Sequence, residues 1–527
     1  VLTRLTPVHF VDRPKLAEGR EDEIVLSLSG DPAALNTLHA RPARSFHVTQ
    51  VRQAARTENP GAPIQFVPDP QLDPLLRGRS IPHWALPELS AVPTQPGDVV
   101  WATCHDSPIW ARRRSGGCDI DLVSAPLPQP TATEQVFDYL NGYHFIQLLP
   151  LLHFLRDVTA AVQWTLPPLR ACLTFDDPNL HWPSYGFLPY REVIRLARRD
   201  RFHISFATVP LDAWGIHAGA VELFRENPEH LSLMIHGNNH THEELGQSRT
   251  AEGHARLMGQ SLRRIVRLEQ TTGLKIDRVS VPPHEALAEG VPAAMLALGF
   301  EGVSVTPWSL RHYLRQRAWP PTFGLLPAEL TDDGFPVLAR DRLVADCVGP
   351  AVLAAFLGKP IVLIEHHQAV AKGLDLLSAA AQVVNSLGDV QWRSPQAILR
   401  SNFLTRREGQ TLWIKPYASR IGVPIPDGIS ALAVARDDSN SSRGFNLVNA
   451  TNHTAGSAVQ VEPEHPIPVQ AGTTVELVSA KLGTLDYRQL GSPGSSLVAL
   501  GRRILCEARD RAAALKARRP RQIINSQ

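Results

Sequence analysis

Four short stretches of the 527-residue chain carry side chains whose types and placement could do hydrolytic chemistry. Thr174-Phe175-Asp176-Asp177 ends an apolar run in two adjacent carboxylates, which repel each other unless water, a proton or a cation offsets them. Leu233-Met234-Ile235-His236-Gly237-Asn238-Asn239-His240 ends a second run. A helical turn begun at that strand end would put His236 and His240 on one side, within reach of one ion. In a chain with 21 histidines, about one pair four apart is expected by chance, so placement rather than spacing gives it weight. A carboxylate and two imidazoles form a three-ligand set with positions left for water and substrate, as a catalytic zinc-like centre needs. Pro282-Pro283-His284 is a rigid turn after a third apolar run. A fourth run, Ile361 to Ile364, leads through Glu365 into His366-His367, and an imidazole there suits a general acid near neutral pH.

The elements that must position these groups alternate regularly. Apolar strands are expected at Arg170 to Phe175, His203 to Val209, Leu231 to His236, Asp277 to Val281, Glu301 to Thr306, Phe335 to Ala339 and Pro360 to Glu365. Helical patterns such as Tyr190 to Arg199, Thr250 to Thr272 and Val291 to Leu298 fall between them. Seven β-then-α units predict a parallel barrel or doubly wound sheet with its chemistry at the C-terminal strand ends.

Before this region, residues 1–165 mix proline-rich connectors with strands at Asp98 to Thr103 and Asp119 to Val123 and a helical pattern from Glu134 to Val158, an N-terminal α/β accessory domain. Its Cys104-His105-Asp106 cluster reads as a loop after a strand. Residues 405–490 alternate short apolar runs with Gly, Pro, Asn and Ser turns, a small β-sandwich-like domain. Residues 491–527 read as a basic helical tail, with eight basic residues against Glu507 and Asp510 between Leu497 and Arg521. A solvated basic helix is the plainer expectation, docking to an acidic surface the sharper one.

Composition excludes several classes. With 53 Lys and Arg against 51 Asp and Glu the net charge is +2, which argues against a nucleic-acid partner. Five scattered cysteines without a C-x-x-C pair argue against a disulfide scaffold or zinc knuckle. No apolar run spans a bilayer, so a soluble protein is expected, cytoplasmic or exported with its signal removed.

The four motifs, in this order, resemble those of the NodB-type polysaccharide deacetylases, carbohydrate esterase family 4, over residues 168–400. The resemblance implies a deacetylase-like (β/α)7 barrel of overall α/β class, flanked by the N-terminal α/β domain and the small C-terminal β-domain. It implies that Asp177, His236 and His240 bind a divalent metal ion, zinc or another first-row ion, with Asp176 as general base. His366 or His367 would protonate the departing amine, and the His284 backbone N–H would donate to the oxyanion, since Pro283 has none to give. His366 is favoured as the nearer to the strand end, because strand alternation lets only one of the pair point inward. The implied activity is hydrolysis of an N-acetyl or O-acetyl group on an amino-sugar glycan, a hydrolase acting on carbon–nitrogen bonds other than peptide bonds.

Three positions depart from the family. Val281 stands where an arginine that orients the base is usual, so Asp176 is expected to be held by a histidine or by an arginine from elsewhere. Gly237 stands for Ser or Thr, and an Asp-rich fourth motif is reduced to Thr306-Pro307-Trp308. Two other readings follow: an amidohydrolase-type centre using His240 and His242, and a non-catalytic metal-holding glycan-binding or scaffold barrel.

Overall fold

The computed structural model describes residues 24–27, 44–49, 61–83, 89, 91–128, 131, 134–142, 144–160, 164–315, 317, 319–320, 322–436, 444–449, 459–494 and 497–518. The chain divides into two compact units. One comprises residues 1–164 with 319–325 and 347–357, the other the remainder. No helix among the described residues is long and apolar enough to cross a membrane.

In the first unit seven strands form one sheet. Ile24–Ser27, Arg44–Val48 and Cys118–Val123 run parallel, and Ser107–Ser115, Val99–Cys104, Ile64–Phe66 and Ser80–Ile81 continue it antiparallel. His105 and Asp106, both at positive φ, form the two-residue turn of the Val99–Ser115 hairpin, the loop expected of Cys104-His105-Asp106. The helical pattern of 134–158 is interrupted. A 3₁₀ turn covers Val136–Tyr139, Asn141 bridges His144, and the α-helix starts only at Leu149, with Pro150 in its first turn.

The second unit is built on β1 (Arg170–Asp176), β2 (Ile204–Thr208), β3 (Leu231–His236), β4 (Val279–Val281), β5 (Gly302–Val305), β6 (Pro336–Ala339), β7 (Asp341–Arg342) and β8 (Ile361–Glu365). They pair in parallel in the order β6-β5-β4-β3-β2-β1-β8-β7, with Glu329–Leu330 antiparallel on β6 and Gln391–Trp392 on β1. No closed ladder of seven strands is detected among the described residues: the pairing runs from β6 at one end to β7 at the other. Both ends come from the one extended segment 336–342, which gives β6 to β5 and β7 to β8, with the Arg340 N–H between them donating to the Val305 carbonyl.

Strand alternation then decides which side chains meet. Cys172, Met234, Val281, Leu338 and Val362 point to one face and, with Ile398 and Leu399, form a buried cluster. Continuing each strand in steps of two leads to Asp176, His236, Arg340 and His366 at its C-terminal end. The helices α1 (Tyr190–Asp200) and α2 (Ala251–Thr272) follow β1 and β3. Thr250 caps α2 by accepting the Gly253 N–H at 3.1 Å, and Gly273 ends it in the left-handed region.

Eight strands between Phe403 and Ser479 form two four-stranded sheets that share a core including Leu412, Ile414, Ile421, Leu432, Phe445 and Leu477. A last helix, α3 (Leu497–Arg518), also belongs to the second unit, and Arg519 and Arg521 of the expected tail lie outside the described residues. At the base of β1 the buried Arg170 donates to the carbonyls of Pro168 (2.9 Å), Gly358 (2.8 Å) and Ser401 (3.2 Å) and to the Asn402 side chain. Arg170→Met leaves these buried acceptors unpaired and is expected to cost about 3 kcal/mol, measured as a lowered denaturant midpoint.

Candidate active site

The residues singled out in the sequence come from four segments, and most of them converge. Asp177 Oδ1 lies 3.3 Å from His240 Nε2 and 4.0 Å from His236 Nε2. Ligand atoms of these three residues lie within 4.8 Å of one another, the one such group among the described residues. Adjacent Asp176 and Asp177 would point to opposite faces of a regular strand; Asp177 has φ 81°, and this left-handed turn redirects its carboxylate.

The His-x-x-x-His stretch is not the helical turn its spacing suggested. The chain turns through Gly237 (φ 61°) and His240 (φ 55°) without helical structure, and Glu244 holds it. The buried Glu244 carboxylate accepts the backbone N–H groups of Asn238 (2.6 Å), Asn239 (3.0 Å) and His240 (3.0 Å). A Cβ at residue 237 would lie 2.5 Å from Glu244 Oε1 and 2.6 Å from Pro283, so the glycine in place of Ser or Thr is required by that carboxylate. His236 Nδ1 contacts the Val281 carbonyl at 2.9 Å, which turns Nε2 toward Asp177. His240 is pushed down to about 3, first by burial and then by His236, so its imidazole is neutral near pH 7. One carboxylate and two imidazoles suit a divalent ion.

Asp176 is almost wholly buried. Arg340 Nη1 and Nη2 donate to its two oxygens at 3.0 and 2.9 Å, a bidentate clamp. Burial pushes the carboxyl up, but Arg340 and His236 outweigh it and hold Asp176 below the usual carboxylate range. Burial is likewise outweighed at Asp177 by His240, His236 and Arg503. Arg340 is itself placed by Glu285, which accepts its Nε at 3.0 Å and the hydroxyls of Thr306 (2.6 Å) and Ser309 (2.5 Å). Thr306 of the reduced fourth motif thus anchors the anchor of Arg340.

The remaining candidates separate. His366 is exposed and extended (φ −104°, ψ 160°), continues the inward parity of β8, and bears electrostatically on Asp176 and Asp177. His367 is buried beside Tyr185 and Phe187, with Nε2 3.3 Å from Asp510 Oδ2. His284 is exposed with φ 55°; its ring stacks on His242 at 4.9 Å, and burial followed by His242 lowers its pKa. His242 is also exposed and stands outside the three-ligand group, so the His240–His242 reading finds no metal cluster here.

No family model matches the chain, and no curated protein matches it. Solved structures do. The chain is similar to polysaccharide deacetylases. Among them are a putative polysaccharide deacetylase from Mycobacterium smegmatis (16% identity, 44% of this chain and 90% of that one, TM-score 0.31) and a family 4 carbohydrate esterase from Streptomyces lividans in complex with acetate (13%, 43% and 93%, 0.26). Agd3, a novel carbohydrate deacetylase, is matched over 83% of this chain and 85% of its own at 8% identity and TM-score 0.38. These likenesses are remote, and the functional reading rests on the residues themselves.

Sequence reasoning missed Arg340, Glu285, Glu244 and Arg503. Arg340 had a signal, since it directly follows an apolar strand like the other site residues. Arg503 had none: it lies in α3, where its Nη1 reaches Asp177 Oδ1 at 3.2 Å and its Nη2 reaches Asp212 at 2.6 Å. The helix expected as a solvated tail therefore turns a buried arginine and the buried Asp510 toward the site, and nothing observed supports its docking to an acidic surface.

Two outcomes follow from this geometry. Glu244→Gln weakens the anchor of the His240 loop and should lower divalent-ion affinity about tenfold, read by competition with a chromogenic chelator. Asp176 and Asp177 have depressed pKa values, so their stabilisation is full above about pH 4 and is lost as pH falls through the folded values. Urea midpoints should fall through that window, and less steeply in Asp176→Asn.

Proposed function

We propose that this chain is a metal-dependent hydrolase that removes acetyl groups from an amino-sugar glycan. The observation that carries the reading is the buried Asp176, clamped by Arg340, beside the Asp177–His236–His240 set. Those three residues would hold a divalent ion, zinc or another first-row metal, whose chemistry when bound is Lewis-acid polarisation of the acetyl carbonyl and activation of a water.

The chain's own groups then divide the work. Asp176 takes a proton from the attacking water; Arg340 fixes both of its oxygens and keeps it ionised. The His284 backbone N–H donates to the oxyanion that forms on the acetyl carbonyl. His366, exposed at the end of β8, protonates the departing amine as the carbon–nitrogen bond breaks, while His367 is a buried support. The arginine usual at the position of Val281 is not needed in this scheme, because Arg340 reaches Asp176 from the link between β6 and β7.

A second reading, a non-catalytic metal-holding glycan-binding or scaffold domain, has one observation in its favour. The Arg503 guanidinium already shares Asp177, which a metal must also use. Acetate release separates the two. The full chain loaded with zinc should release acetate from N-acetylhexosamine oligosaccharides. A chelator should abolish release and restored metal recover it, and Asp176→Asn should slow it at least about a hundredfold. Stoichiometric metal binding without acetate release across a glycan panel would establish the non-catalytic reading instead.

A further inference from the structure

Arg503 reaches the atom that a bound ion would have to use. Its Nη1 donates at 3.2 Å to Asp177 Oδ1, the same oxygen that lies 3.3 Å from His240 Nε2 and 4.0 Å from His236 Nε2. A guanidinium and a divalent ion are therefore both drawn to this one oxygen, and as like charges they repel each other there. Arg503 does not depend on the contact. Its Nε donates to both Asp212 oxygens, at 3.1 and 3.2 Å, and its Nη2 donates to Oδ2 at 2.6 Å, in the 3₁₀ turn Pro210–Trp214 that follows β2. Giving up Asp177 leaves the guanidinium paired rather than stranded.

The helix that carries Arg503 is docked in a way that responds to charge. The buried residues of α3 are Ala499, Arg503, Asp510 and Ala514, whereas Leu497, Val498, Ile504, Leu505 and Leu515 are exposed. Little apolar surface fastens it, and polar contacts do. Besides the pairs of Arg503, Glu507 accepts the Asn179 amide at 2.7 Å, and Asp510 accepts the Tyr185 hydroxyl at 3.1 Å and lies 3.3 Å from His367 Nε2. The chain leading into α3 is tied down separately: from α2, Arg263 donates to the carbonyls of Tyr487 (2.6 Å) and Leu490 (3.1 Å), and Gln260 to that of Pro493 (2.7 Å). A helix with a fixed approach and few buried apolar contacts belongs to the low-stability end of a fold, where local opening precedes global unfolding.

From the shared Oδ1, the second partner of Arg503 and the polar docking of α3, we propose that Arg503 and a divalent ion are alternative cations for Asp177. Binding of the ion displaces Nη1 from Oδ1 and loosens α3, and docking of α3 lowers affinity for the ion by the same factor, since the coupling is reciprocal. The helix is thus a strap whose arginine competes with the ion for a ligand atom. The proposal rests on the reading of Asp177, His236 and His240 as a metal-holding set, and not on turnover.

The test uses the full chain, stripped with a chelator and titrated with zinc. Affinity is read by competition with a chromogenic chelator, and amide hydrogen exchange is followed over residues 236–244 and 497–518. Zinc should protect the first segment and speed exchange in the second, and Arg503→Met should bind zinc about tenfold more tightly. Because Arg503→Met leaves the buried Asp212 without its guanidinium, the double variant Arg503→Met with Asp212→Asn is measured beside it. That variant removes one charge of each sign, so tighter zinc binding by it comes from the lost contact and not from a change in net charge. In both variants exchange over 497–518 should no longer respond to zinc. Zinc that protects 236–244 but leaves 497–518 unchanged or more protected overturns the proposal, as does zinc binding by both variants that is no tighter than that of the unaltered chain. If zinc protects 236–244 in neither the unaltered chain nor the variants, the metal-holding reading falls and the strap with it. If zinc loosens α3 while the loaded chain releases no acetate, the strap stands and the deacetylase reading alone fails.

Discussion

The bidentate pair between Arg340 and Asp176 is the interaction on which the rest of the site depends. A carboxylate this deeply buried would by itself be driven toward its neutral form, and a guanidinium this deeply buried would lack partners for its five N–H donors. Together, and with Glu285 taking the remaining side of Arg340, each offsets the desolvation of the other. The geometry that allows it is the switch in the segment 336–342. Arg340 sits where this segment passes from β5 to β8: its N–H still donates to the Val305 carbonyl at 3.2 Å, and its side chain, keeping the inward parity of β6, runs across the mouth to β1.

A second constraint is backbone conformation. Asp177, His240, His284 and Glu285 all have φ between 55° and 81°, a region non-glycine residues reach at a cost of order 1–3 kcal/mol each. The sequence supplies what holds them there. Glu244 binds three consecutive N–H groups of the His240 loop, and Thr306 and Ser309 fasten Glu285. The strained residues are those that bring side chains from different strands into one mouth, and their fasteners lie just outside it.

Much of this was legible in the sequence where the signal is local. All seven expected strands of the second unit are present, because period-two apolar runs bounded by turns report burial on a sheet directly. Asp177 and His236 were legible because they stand at the ends of such runs, and His240 only through its spacing from His236. The His236–His240 turn was misjudged, since a spacing of four fits both a helical turn and a loop held by a carboxylate, and only the second needs Gly237. Arg340 was legible in kind, as an arginine from elsewhere, and not in place, because pairing across 164 residues leaves no trace in spacing. Barrel closure was not legible for a related reason: strand count is local, whereas closure depends on how one segment divides its hydrogen bonds.

The C-terminal helix carries the same lesson about charge. Arginines on α3 look alike in the sequence, and their surplus over Glu507 and Asp510 suggests solvent. In the fold their environments differ sharply. Arg503 is nearly buried and answers Asp212 and Asp177, whereas Arg509 is 68% exposed in its side chain and pairs with its neighbour Asp510. A net charge counts both equally; desolvation does not, since a buried guanidinium without two carboxylates to meet it would not persist. The acids that meet Arg503 are Asp177, a ligand candidate, and Asp212, in the 3₁₀ turn that follows β2. What places the helix is therefore the pair of acids that Arg503 offsets, not the helix's own composition.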